Sequence, residues 1–224
     1  MIDDNFIKNH TLLECLQEFK GASDGKTVQE REESLSKIFE SLAKKFIYGG
    51  YILVGKYYRI EIKTVEFYYH EEDEYENSIS DPMVYHRNNK FPNRIVPPFP
   101  IMTLHSHWSG FDITFEDPNG KYRASALIRA YAVYDIKGNG YVKLDTRTNT
   151  DKQDKIVGLY NLQEKPYIDT RSTYLQYYLN GFNLVEGKST RIIWKDDVRE
   201  GYGDVKSLLR KNVEPKRHWA FKSE

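Results

Sequence analysis

Cysteine is almost missing from this chain of 224 residues. Cys15 stands alone, so no intramolecular disulfide can form and no cysteine-rich zinc cluster can be built. It lies among the apolar residues of 12–19 at helical spacing, which predicts a buried structural thiol rather than a nucleophile. No apolar run approaches the roughly 18 residues of a membrane-spanning helix. The opening Met1-Ile2-Asp3-Asp4-Asn5 has no basic start followed by an apolar core, so no signal peptide is expected and the cytoplasm is the default address. Neither sign of charge prevails, with 33 Lys+Arg against 33 Asp+Glu, whereas a dedicated nucleic-acid binder usually carries a basic excess. A Gly-rich phosphate loop of either common type is also missing.

What is present suits a folded core: 39% hydrophobic and 29% charged residues exclude disorder, and the length fits one large domain. Tyrosine and phenylalanine are abundant, at 18 and 11. Flat rings suit either a β-rich core or a surface that stacks planar ligands.

Residues 10–19 read as a short helix and 28–46 as a longer amphipathic one, with Leu35, Ile38, Phe39, Leu42 and Phe46 on one stripe and Gly49-Gly50 as its stop. Strands are expected over 51–58, 59–69, 101–107, 111–115 and 124–134, with a long acidic, then Pro- and Asn-rich loop over 71–100. The polar stretch 142–155 reads as loop or linker, 172–179 as a helix, 190–194 as a strand, 204–211 as a last short helix and 218–221 as a closing strand. Helices followed by a sheet, without regular βαβ alternation, predict an α+β fold. The expected organisation is a single domain over 1–224. Helical residues 1–48 come first, a central sheet over 50–135 carries the candidate site, and the C-terminal residues 136–224 complete the fold.

Three groups of residues have the types that chemistry needs. Glu66 interrupts Val65-Glu66-Phe67-Tyr68-Tyr69-His70; on a strand it shares a face with Tyr68, while Phe67 and Tyr69 face the other way. A carboxylate beside an aromatic wall is desolvated and can serve as a base; otherwise Glu66 is an ordinary solvent-face residue like Glu61. His70, His86, His105 and His107 form a second group. The unit His105-Ser106-His107 could hold a metal with Asp112, His86 or Glu66, line a pocket with donors, or simply pack. Arg129, inside Ala126-Leu127-Ile128-Arg129-Ala130, needs an anion: a protein carboxylate (Glu66 or Asp112), or a phosphate. Arg147, Arg171, the tail from Lys211 to Arg217 and the run Glu71-Glu72-Asp73-Glu74 read as solvated surface.

The order of these pieces resembles the alkyladenine (3-methyladenine) DNA glycosylase family over residues 35–135. Glu66-Phe67-Tyr68 stands where that family has Glu-Ala-Tyr, Arg87-Asn88 where it has an Arg-Asn pair, and Leu127-Ile128-Arg129-Ala130 where it has Leu-Leu-Arg-Ala. The spacing from Asp81 to His86 is one residue longer than the family's Asp-to-His spacing. His105-Ser106-His107 replaces a Tyr-x-Tyr, and Ser109 before Gly110 replaces a wedge tyrosine. The resemblance implies a curved, mostly antiparallel sheet flanked by helices, and a base-excision hydrolase that cleaves the N-glycosidic bond of a damaged purine. It implies Glu66 as the base activating water, Arg129 beside it, and Tyr68, Tyr85, His86, His105 and His107 around the flipped-out base. No cofactor would be required; DNA would be the partner of a monomer with no membrane contact. Two other functions are open on the residues: a metal-dependent hydrolase on His105, His107 and Asp112, and a non-catalytic nucleotide, nucleic-acid or protein binder.

Overall fold

The computed structural model describes residues 2–23, 25, 27–54, 58–73, 76–84, 87, 97–107, 110–135, 137, 140–145, 190–191, 193–198, 201–210 and 214–224, some strand residues by backbone alone. Three helices precede the sheet. α1 (Asp4–Asn9) begins behind Asp3, whose Oδ1 accepts from the Phe6 amide at 2.8 Å. α2 (Leu12–Glu18) and α3 (Val28–Tyr48) both open with capping boxes, Thr11 with Glu14 and Thr27 with Glu30. The sequence predicts α2 and α3; α1 is a single capped turn and a half and is an addition. None of the described helices is long and apolar enough to cross a membrane.

Ten strands follow among the described residues: β1 (Gly50–Val54), β2 (Tyr58–Glu71), β3 (Thr103–His107), β4 (Gly110–Thr114), β5 (Tyr122–Asp135), β6 (Gly140–Asp145), β7 (Thr190–Arg191), β8 (Trp194–Asp196), β9 (Val205–Leu208) and β10 (Ala220–Ser223). They form one open, antiparallel sheet whose main path runs β7-β3-β4-β5-β2-β1-β8. The long ribbon β2–β5 is its spine. One edge of β2 is shared between β1 and β10, and one edge of β5 between β4 and β6, while β9 pairs with β10. The architecture is thus α+β, three helices with a mostly antiparallel sheet.

Several local expectations are corrected. Within the expected helix 204–211, Val205–Leu208 is instead a strand, because its backbone groups find a ladder on β10. Residues 140–145, read from 142 onward as linker, pair with β5 instead. The expected strand 190–194 divides, β7 joining β3 and β8 joining β1 at opposite ends of the main path. The expected helix 172–179 lies outside the described residues.

α3 lays Leu35, Phe39, Leu42 and Phe46 on the sheet. Phe39 stacks on Phe67 at 4.6 Å, and Trp219 meets Phe39 edge-on at 5.2 Å. Cys15 is buried in this core, and burial pushes its thiol up to about 11. At Gly50 a Cβ would stand 2.1 Å from the Lys195 carbonyl oxygen, so only glycine lets β8 close on β1 there.

The β2–β5 register breaks midway. Ile62 pairs with Tyr131, Thr64 with Ala130, and Val65 with Ile128, so β2 gains Lys63 and β5 gains Arg129 relative to their partners. Before the break Ile60 and Ile62 face the helical core; after it Val65, Phe67 and Tyr69 do. The slip therefore puts Arg59, Glu61, Glu66, Tyr68 and His70 on the same opposite face of β2.

Candidate functional site

On that second face, strand geometry and the register slip bring three expected residues together. Glu66 is wholly buried. Its Oε2 accepts from Arg129 Nε at 3.0 Å, and its Oε1 accepts from Arg129 Nη2 at 3.2 Å and from the Tyr68 hydroxyl at 2.5 Å. Arg129 Nη2 also lies 3.3 Å from the Tyr68 oxygen. Glu66, one of the two carboxylates expected as a partner, is met by Arg129. Burial works to lower the Arg129 pKa, but the Glu66 charge and the bonds to Glu66 and Tyr68 outweigh it and hold it above its ordinary value. Burial, then the Glu66 charge, drives the Tyr68 hydroxyl far above the usual phenol range, so it stays a donor.

Tyr68 is not an open platform. The Arg210 guanidinium lies 4.9 Å from its ring centroid, and Val84, Leu127 and Met83 pack around it. Arg210 is in turn fixed by Asp81 Oδ2 at 2.5 Å, and Arg217 Nη1 stands 3.6 Å from the same oxygen while its Nη2 meets Glu32 at 2.5 Å. Asp81 closes the loop over the site: its carboxylate accepts from Met83 N at 3.2 Å, and its amide donates to His70 Nδ1 at 3.1 Å. That bond places the His70 proton on Nε2, which is buried, makes no hydrogen bond among the described residues and lies 3.9 Å from Glu72 Oε2. Burial holds His70 below its ordinary pKa.

The sequence reading missed Arg210 and gave Asp81 no partner, and it wrongly placed Arg217, Glu71 and Glu72 on the solvated surface. Arg217 is buried on Glu32 and Asp81, Glu71 receives a two-pronged contact from Arg31 at 2.5 and 2.9 Å, and Glu72 pairs with the buried Arg123 at 2.6 Å. Runs of charge predict solvation only where no counter-charge arrives from elsewhere in the chain.

The remaining expected site residues are not brought into this cluster by anything described. Tyr85, His86 and Asn88 lie outside the described residues, as do the side chains of His105 and His107; the backbone register sets His105 opposite Asp112. Asp112 accepts from Ser125 Oγ at 3.2 Å. Among the described residues no group of three or more His, Cys, Asp or Glu could hold a metal ion. Arg87 folds back onto its own loop, donating to the Val84 carbonyl at 3.1 Å and to that of Pro82.

The cavities lined by described residues include one of about 280 Å³ against Arg59, Lys63 and Tyr134 and one of about 710 Å³ against Arg31, Tyr69 and Tyr122. Neither is lined by Glu66, Tyr68 or Arg129. Compared with known proteins, the chain matches no family model, no curated protein and no solved structure.

Proposed function

We propose that the chain is a glycosylase-like hydrolase acting on the N-glycosidic bond of a damaged purine in DNA, working as a monomer without a cofactor. The observation that carries this reading is the Glu66–Tyr68–Arg129 cluster. Glu66 Oε2 accepts from Arg129 Nε and keeps a second lone pair, but the carboxylate is wholly buried, so this reading requires the side chains over it to move before water reaches it. In the reaction, water oxygen bonds to the sugar carbon as the carbon–nitrogen bond breaks; the water proton passes to Glu66, and the electron pair leaves with the base. A positively charged lesion such as 3-methyladenine leaves as a neutral base and needs no acid. Arg129 holds the carboxylate in line. A glycosylase-like version of the α+β fold belongs with this reading.

The test is release of 3-methyladenine or hypoxanthine from damaged single- and double-stranded DNA, at low salt, by the wild type and Glu66→Gln. Release that disappears in a folded Glu66→Gln variant is the expected result. No release from either substrate, with no DNA bound, overturns the reading.

A second reading has its own observation. The Arg210 guanidinium over the Tyr68 ring, which covers the surface a base would stack on, favours a non-catalytic relative that binds a nucleotide or a nucleic acid. Binding without base release selects it.

A further inference from the structure

We propose that residues 81–84 form a cover over the Tyr68–Glu66 face, latched by the neutral ring of His70 and released when that ring takes up a proton. The inference concerns what uncovers the cluster, and it stands whether or not Glu66 hydrolyses a base. The latch is a single bond. His70 Nδ1 accepts from the Asp81 amide at 3.1 Å, which an imidazole does only while Nδ1 carries no proton. An imidazolium presents N–H on both nitrogens, so Nδ1–H and the Asp81 N–H would point at each other and the bond is lost.

Asp81 ties that bond to the cover. Its carboxylate holds Arg210, whose guanidinium lies over the Tyr68 ring, and Met83 and Val84 pack against Tyr68 from the same segment. Upstream the chain is anchored independently of His70. The Glu71 amide donates to the Ile79 carbonyl at 2.9 Å, the Ile79 amide to Glu71 Oε2 at 2.8 Å, and Arg217 Nη2 to the Ser80 carbonyl at 3.1 Å. Beyond Asp81 the described hydrogen bonds turn inward: the Met83 and Val84 amides donate to Asp81 itself, and Arg87 donates to the Pro82 and Val84 carbonyls. A segment fixed at Ile79 and Ser80 and closed on itself from Asp81 onward can swing as a unit. Arg210, left with the Phe67 and Pro215 carbonyls at 3.4 and 3.3 Å, would then be a buried cation without its acid, and it follows the cover off the ring.

The charges that face His70 set the direction. Glu72 Oε2 lies 3.9 Å from Nε2, and Arg123 stands opposite His70 in the β2–β5 register, neutralised by Glu72 and Glu116. Burial, the largest influence, and the Arg87 charge oppose the imidazolium, while Glu72, Asp81 and Glu71 favour it; the balance holds the ring below its ordinary 6.5. Falling pH populates the open form, because the open ring binds a proton more readily than the closed one. If the Asp81–Arg210 pair alone holds the segment, titrating His70 leaves the cover closed.

Native-state amide exchange of the full chain, followed by NMR and corrected for the pH dependence of exchange in a free chain, separates the two. From about pH 7.5 to 5.5 the Asp81 and Val84 amides should lose protection by up to about tenfold, through an opening insensitive to low urea. The Tyr68 ring resonances should move with the same midpoint. In His70→Gln, whose side-chain carbonyl can accept from Asp81 and does not titrate, protection should be independent of pH. Should that variant fail to fold, the wild-type His70 ring nitrogens carry the test, with the proton on Nε2 at neutral pH and a titration that tracks the loss of protection. Exchange of both amides only through global unfolding, or a pH trend that persists in His70→Gln, overturns the proposal. So does a His70 that titrates while the amides stay protected, or a Tyr68 ring that stays fixed while they open.

Discussion

Arg129 reaches Glu66 from the position where β5 slips its register against β2, with Nε 3.0 Å from Oε2. An unbroken ladder would have carried strict alternation through, and the charged residues on either side of the slip would have faced opposite ways. The bulge is what gathers them.

Because the pair is buried, removing one member strands the other. Arg129→Leu should lose about 3–5 kcal/mol in urea unfolding, and Glu66→Leu combined with Arg129→Leu should recover much of it. Equal stability of wild type and Arg129→Leu would show that solvent reaches the Glu66 carboxylate.

Some of this is legible in the residues. The apolar steps Ile60, Ile62, Val65, Phe67, Tyr69 carry the bulge as a single step of three among steps of two, and Glu66 is one of the two carboxylates expected as a partner for Arg129. Helices α2 and α3 show through their periodicity and caps. β9 does not, because a four-residue strand owes its conformation to the ladder on β10 rather than to its own pattern. The pairing of Arg210 with Asp81 is invisible for a similar reason: they meet across 129 residues of sequence, and no local spacing encodes that.

Asp81 neutralises Arg210 and stands near Arg217, so its loss leaves buried positive charge over Tyr68. Asp81→Ala should destabilise the fold by roughly 3–5 kcal/mol in chemical denaturation, well beyond the ~1 kcal/mol of an average substitution. A loss under about 1 kcal/mol, within that average, would mean the two arginines find other anions.

His70 gives the fold a pH dependence of definite sign. Its folded pKa is depressed below the ordinary 6.5, so its contribution to stability is complete above that value and is lost as pH falls below it. Stability measured from pH 7.5 down to 5 should therefore fall less steeply in His70→Gln than in the wild type (a window set by the ordinary value of about 6.5). Parallel curves would assign the slope to the carboxylates.

Cys15 should resist thiol reagents at neutral pH in the folded chain and react fully in denaturant. With its thiol pushed up to about 11 and its side chain buried, both thiolate and access are lacking. Rapid labelling without denaturant would reveal opening of the helical layer.

Under the glycosylase reading, water is activated by Glu66 alone, so base release should be unchanged after dialysis against EDTA. Activity lost to the chelator and restored by zinc, with a matching loss in His107→Ala, would move the chemistry to the His105–His107 segment.

The β10 strand sits on the edge of β2 at Thr64, Val65 and Glu66. Those three residues leave the ribosome long before Lys222, Phe221 and Ala220 do, so during synthesis this stretch of β2 waits with one row of amides and carbonyls open. Closure of the ladder beside the acid is a late folding event, and nascent chains stalled ahead of β10 will expose an adhesive strand edge that chaperones must shield.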